Sequence, residues 1–273
     1  MHQPKGDFAE TSSPLSVAVA EDSARVVDRV AEALRARRLR LAYQPVVLSA
    51  RPDRIGFHEG LIRILDPGGR TIPAREFMQA IEGRDLGREV DCAALAMGLD
   101  ALRRHPALRL SVNMSARSIG WPRWMRILRR SLDRDPALGE RLILEISEAS
   151  AMTVPELLAG FMAELRPRRI SFALDGFGAG PVTLHHFREL AFDVMKIDAG
   201  FTRNVHATAD SQVMMSVFLA IARQLDMLTV AQGVEAAADS AWITALGIDC
   251  QQGFFHGAPK LFPDGIAPDP ASI

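Results

Sequence analysis

Eight polar residues stand near the ends of apolar runs scattered along the whole chain: Glu59 and Arg63 in FHEGLIR, Asn113 in LSVNM, Glu145 in LILEIS, Asp175 in SFALD, Lys196 in FDVMKID, Gln232 in LTVAQ and Gln252 in CQQGFF. Three are acids, two are cations and three are amides. Carboxylate and amide oxygens are the donors that hard divalent cations take, while Lys, Arg and amide N–H groups complement phosphate oxygens. The set therefore suits metal-assisted phosphate chemistry better than an apolar ligand. Any one of these residues alone reads as a solvated strand cap. Their recurrence at comparable places makes one shared site the stronger reading.

Other familiar chemistries find no support. The two cysteines, Cys92 and Cys250, lie far apart and have no histidine at zinc-ligand spacing. His185 and His186 are adjacent within LHHFREL and read as surface or packing residues. DGFGAG lacks the Lys and Ser or Thr of a phosphate loop, no GxGxxG follows a strand, and GVEAAADS supplies no nucleophile elbow.

The elements that must position the eight residues alternate along the chain. The expected strands are LAYQPVV, RIGFHEGLIRIL, LRLSVNM, RLILEIS, RISFALD, FDVMKID, MLTVAQ and DCQQGFF. A helix is expected from about Ser23, where Val26, Val30 and Leu34 recur every four residues. PAREFMQAI and VDCAALAMGLDALRRH read as helical, and further helices are expected over 121–131, 154–165, 182–190, 211–225 and 236–246. Eight strands, many followed by a helix, predict an α/β fold closed into a (β/α)8 barrel, with a doubly wound open sheet as the alternative. In a barrel, one polar residue per strand end converges on one face.

Composition sets the class. With 273 residues, 48% of them apolar and 24% charged, the chain suffices for a single large barrel. Residues 1–21 read as a flexible tail, 22–262 as the barrel and 263–273 as a C-terminal tail. A formal charge of −1 argues against DNA or RNA binding over a broad basic surface. No apolar stretch is long enough to cross a bilayer and the start lacks an export pattern, so a cytoplasmic protein without membrane insertion is expected. The sparse cysteines suit a reducing compartment, although a Cys92–Cys250 disulfide stays open.

Several separated segments together resemble one family. YQPVV, FHEGLIR, LSVNMSARS, LILEISEAS, FALDGFGAG, FDVMKID, TVAQGVE and QQGFFHGAP follow the order and spacing of the EAL domain, a barrel of bacterial enzymes that hydrolyse cyclic di-GMP. The resemblance implies a modified TIM barrel of the EAL type whose first strand runs opposite to the rest. It places Glu59 in the signature motif, here EGL. It makes Glu59, Asn113, Glu145, Asp175 and Gln252 metal-site residues for Mg2+ or Mn2+, gives Lys196 the attacking water, and assigns Gln44 and Arg63 to nucleotide and phosphate contact. If the protein is active, Glu59 and Lys196 are the catalytic pair.

Two positions depart from the pattern of active members. Gly176 replaces the second of two successive aspartates, and Gln232 stands where a glutamate is usual. Each exchange removes a carboxylate from a centre that needs anions around two close cations. GAGPVTLHHF also departs from the family's segment after Asp175, near the outer helix through which members associate, which leaves a homodimer open. The expectation is a catalytically impaired regulatory domain with at most a partial metal site, acting as a cyclic di-GMP sensor through a protein partner. An active cyclic di-GMP phosphodiesterase and a protein-binding module without nucleotide or metal are the alternatives.

Overall fold

The computed structural model describes residues 14–180 and 189–263, with side chains from residue 21 onward. A helix α1 (Pro14–Arg35) precedes a long hairpin, β1 (Leu39–Leu48) and β2 (Arg51–Leu65), followed by the short β3 (Thr71–Pro73), α2 (Met78–Ile81) and α3 (Asp85–Arg104). Strand and helix then alternate through β4 (Leu110–Asn113), α4 (Pro122–Arg134), β5 (Leu142–Ser147), α5 (Glu148–Ala151), α6 (Pro155–Leu165) and β6 (Ser171–Phe177). The last part holds β7 (Val194–Ile197), α7 (Ala199–Thr202), α8 (Ala209–Gln224), β8 (Leu228–Ala231), α9 (Ala237–Leu246) and β9 (Cys250–Gln251).

The sheet closes. Strands β2, β4, β5, β6, β7, β8 and β9 pair in parallel, and β1 joins the two ends by pairing antiparallel with both β2 and β9. This is the modified barrel with its first strand reversed, and the open doubly wound sheet is excluded. Strand β3 lies outside the ring as an antiparallel flap on the end of β2.

Strand alternation sorts the side chains into two interior layers. The lower one is apolar: Val46, Phe57, Ala173, Val194, Val230 and Cys250 form one buried cluster with Ile143 against it. Two residues further toward the C-terminal strand ends the same faces carry Glu59, Glu145, Asp175, Lys196, Gln232 and Gln252. On reversed β1 the matching residue precedes Val46 and is Gln44. Outward-facing residues such as Leu144, Phe172, Leu174 and Met195 pack under the helices. In α4, Trp124, Leu128 and Leu132 recur every four residues and are buried, which leaves its arginines outside. Gly98 lets α3 approach the sheet, since a Cβ there would lie 2.7 Å from Val112 Cγ2.

Three boundaries differ from the sequence expectation. Helix α1 starts at Pro14, so residues 14–21 of the expected tail are helical; AVAEDSARVVDRVAEAL is free of helix breakers, and proline is tolerated in a first turn. PAREFMQAI is not one helix, because Pro73 is extended and ends β3 before two short turns. Helix α3 begins at Asp85, an acid placed favourably at its N-terminus and paired with Arg88 at 2.6 Å. The helix expected over 182–190 falls for the most part outside the described residues, as do His185 and His186. Cys92 and Cys250 are both buried and free, so no disulfide joins them.

Asp91 on α3 fixes the loop that follows β4. Its Oδ2 accepts the Ser115 N–H at 2.9 Å and the Ser118 hydroxyl at 2.6 Å. Burial pushes its carboxyl up to about 6 despite these donors. A raised folded-state pKa means stability present below pH ~4 and lost as pH rises through about 6, worth about 2–3 kcal/mol. Asp91→Asn keeps an acceptor oxygen for the loop. It is expected to match the parent in thermal unfolding at pH 4 and to exceed it by roughly 5–10 °C at pH 8.

Candidate active site

The upper layer is one hydrogen-bonded network centred on Lys196, whose side chain is fully buried. Its Nζ donates to Glu59 Oε2 at 2.9 Å and to Glu145 Oε1, and lies 3.7 Å from Asp175 Oδ1. Asn113 Nδ2 donates to the other oxygen of Glu59 at 2.9 Å. Gln252 Nε2 reaches Glu59 Oε2 at 2.6 Å and Gln44 Oε1 at 3.2 Å, and Gln44 Nε2 in turn donates to the Gly257 carbonyl at 3.2 Å. Gln232 Nε2 donates to Asp175 Oδ1 at 2.7 Å. A carboxylate can only accept, so each amide must turn its nitrogen to the acid.

These contacts shift the two buried glutamates in opposite directions. Burial alone would raise the Glu59 carboxyl, but the Lys196 charge and donors from Gln252 and Asn113 keep it below the ordinary range. Glu145 goes the other way: complete burial, followed by the neighbouring Glu59 charge, lifts it well above that range, and its Oε2 is buried with no donor among the described residues. Lys196 resists the loss of its proton because Glu145 and Glu59 outweigh its burial. It stays an ammonium.

A bulge makes the Asp175 position possible. Along β6 and β7 the register runs Ala173 with Val194, Leu174 with Met195, then Phe177 with Ile197, so β6 carries one extra residue. Gly176 takes it up at φ +69°, a left-handed conformation that favours glycine. Asp175 keeps its inward aim, and Phe177 still faces outward to meet Phe218 of α8 at 5.1 Å between ring centroids. A Cβ on Gly176 would meet no atom within 4 Å, so the position opens on the mouth without filling it.

All the expected site residues except two enter this network. Arg63, half-buried further along β2, donates to the Ile62 carbonyl at 3.0 Å and, among the described residues, to none of the acids. Gly176 has no side chain to contribute. One residue that the sequence reading missed supports the loop beside the set: Glu148, buried at the start of α5, accepts the Gly178 N–H at 3.0 Å and ties down the loop after Asp175. Its signal was an acid directly following the strand LILEIS, where a helix N-terminus begins. A cleft of ≈ 320 Å³ opens over the network, lined by Glu59, Asn113, Ser115, Ser147 and Asp175.

The fit to divalent cations follows from the same contacts. Among the described residues no group of three or more His, Cys, Asp or Glu is arranged to hold a metal ion. The acids instead face Lys196, and the Asn113 and Gln252 nitrogens, not their oxygens, face Glu59. The residues present do not fit the paired Mg2+ or Mn2+ centre that two-metal hydrolysis requires.

A closed barrel with a reversed first strand and a polar cluster at its C-terminal strand ends defines a modified TIM-type barrel whose ligand face is that mouth. Residues 27–259 match the EAL domain model, and the chain belongs to the EAL family. It is 28% identical over 247 residues to the bifunctional diguanylate cyclase/cyclic di-GMP phosphodiesterase MucR of Pseudomonas aeruginosa, covering 88% of this chain and 36% of that protein. Cyclic di-GMP phosphodiesterase PdeB of Shewanella oneidensis is 27% identical over 236 residues, covering 85% of this chain and 28% of that protein. The chain thus spans about a third of the length of these relatives. The solved MucR phosphodiesterase in complex with c-di-GMP superposes with a TM-score of 0.75 at 29% identity, covering 86% of this chain and 97% of that one. The FimX EAL domain from Pseudomonas aeruginosa, TM-score 0.78 at 24% identity over 87% of this chain and 97% of that one, shares the fold. No helix among the described residues is long and apolar enough to cross a membrane.

Proposed function

We propose that this EAL domain binds cyclic di-GMP and passes its concentration to a protein partner without efficient hydrolysis. The observation that carries the reading is the Gln232–Asp175 hydrogen bond beside an empty-handed Gly176. Two phosphate-activating cations need anions at both places, and neither place offers one. Ligand recognition has more to draw on. Among the described residues the Arg63 guanidinium hydrogen-bonds a backbone carbonyl and no carboxylate, and it is suited to a phosphate. Phe254, 65% exposed two residues beyond Gln252, offers a ring on which a base could stack. The relative whose phosphodiesterase domain is solved with c-di-GMP supports the same ligand class.

The retained Glu59–Lys196 pair favours a second reading, an active phosphodiesterase. Calorimetric titration with cyclic di-GMP, paired with chromatography for the linear dinucleotide, separates the two. Binding without product in Mg2+ or Mn2+ is expected, with Arg63→Ala weakening affinity by about 10- to 100-fold. Metal-dependent turnover abolished by Glu59→Ala would establish the enzyme. No heat on titration would leave a protein-binding module.

A further inference from the structure

We propose that Gln232 stands in for a divalent cation, so that the mouth keeps its shape without bound metal, and that a carboxylate at this position would make the fold metal-dependent. Gln232 follows β8 and Asp175 lies on β6, on either side of the strand that bears Lys196. The backbone at 232 has little freedom. Its N–H donates to the Ile197 carbonyl at 3.1 Å, and its carbonyl accepts the Thr202 hydroxyl. The next residue, Gly233, sits at φ +67°, where a Cβ would lie 2.6 Å from Ala199 Cβ. The side chain is therefore aimed at Asp175 by its surroundings and not by its own flexibility.

Glutamine and glutamate have the same reach and differ only in an NH2 group replaced by an oxygen. With glutamine the 2.7 Å contact is a hydrogen bond. With glutamate the same aim would press two carboxylates together, which is relieved only by a proton or a cation between them. Lys196 has three N–H donors and already faces three acids, hydrogen-bonded to Glu59 and Glu145 and 3.7 Å from Asp175, which leaves none for a fourth. Gly176, with open space around it, lends no neighbour that could intervene. One amide thus converts a metal-requiring pair into a self-sufficient one.

The test needs no nucleotide, and so stands or falls apart from cyclic di-GMP binding. Thermal unfolding of the full chain, Gln232→Glu and Gln232→Met is followed in EDTA and in millimolar Mg2+ or Mn2+. The parent is expected to show the same melting temperature in all three buffers. Gln232→Glu should melt lower than the parent in EDTA and rise by about 5 °C or more with saturating metal, whereas Gln232→Met should melt lower without recovery. Metal stabilisation of the parent would overturn the proposal, as would a Gln232→Glu protein that equals the parent in EDTA. Should Gln232→Glu fail to fold even with metal, Mn2+ binding to the parent, read by the loss of its free-ion paramagnetic resonance signal, decides: tight binding sinks the proposal and none upholds it.

Discussion

Lys196→Met is expected to destabilise the domain by about 4 kcal/mol, because removing one partner of a buried charge cluster leaves the others uncompensated. The lysine and Glu145 are wholly buried, Glu59 nearly so, and Lys196 is the one cation in hydrogen-bond contact with either acid among the described residues. Methionine fills a similar volume, so the loss comes from charge and donors and not from a cavity. In a domain of this size the melting temperature should fall by roughly 10 °C. The pH dependence gives an independent check. Burial is the largest influence on both Glu59 and Glu145, and Lys196 opposes it. Without the lysine their folded-state pKa values rise, so the variant is most stable at acid pH and loses stability as pH climbs through those raised values. The gap from the parent should be smaller at pH 5 than at pH 8. An equal gap at both would show that the ammonium does not hold the cluster together.

Gly253→Ala is expected to cost about 3 kcal/mol and at least roughly tenfold in cyclic di-GMP affinity, through overpacking and not through backbone conformation. A Cβ at 253 would lie 2.0 Å from the Val234 carbonyl oxygen and 2.3 Å from its nitrogen, distances that no rotamer can relieve. Val234 is itself bonded on both sides, donating to the Gln252 carbonyl at 3.0 Å and accepting from Phe255 N–H at 3.1 Å. The loop must therefore move as a unit. Gln252 would leave Glu59, the Gln44 contact with Gly257 would open, and Phe254 would shift with them. Thermal unfolding and titration calorimetry on one preparation measure both losses. Affinity unchanged alongside a lowered melting temperature would remove this loop from the ligand site.

The strands were legible because their two faces differ in kind. In FHEGLIR, LILEIS and FDVMKID an apolar inward residue is followed two places on by a charged one, a pattern that only a mouth above a greasy floor explains. The family resemblance added the reversal of β1, which no local pattern encodes, since an antiparallel strand buried on both faces reads like a parallel one. Position 176 was legible as a missing carboxylate but not as the extra residue of a bulge, because register depends on the partner strand. Gln232 was legible as a lost acid. Its gain, a donor aimed at Asp175, depends on a contact between residues 57 positions apart. Helix α1 starts earlier than the periodicity indicates because the every-fourth-residue pattern of Val26, Val30 and Leu34 does not extend into its opening stretch.

The reversal of β1 also determines how the domain bears load. Because β1 runs away from the mouth, the chain arrives at the rim: Leu39 pairs with Ile64, and Arg38 exchanges backbone and side-chain bonds with Leu65 at the open end of the hairpin. A pull on α1 against the segment after β2 would open that hairpin as a zipper, one pair at a time, and Arg40 with Arg63 follows directly on Leu39 with Ile64. In a barrel whose first strand ran parallel to the rest, the same pull would reach the floor and meet the strands in shear. Tension arriving through α1 would thus be delivered a few residues from Glu59, by unzipping and not by shear.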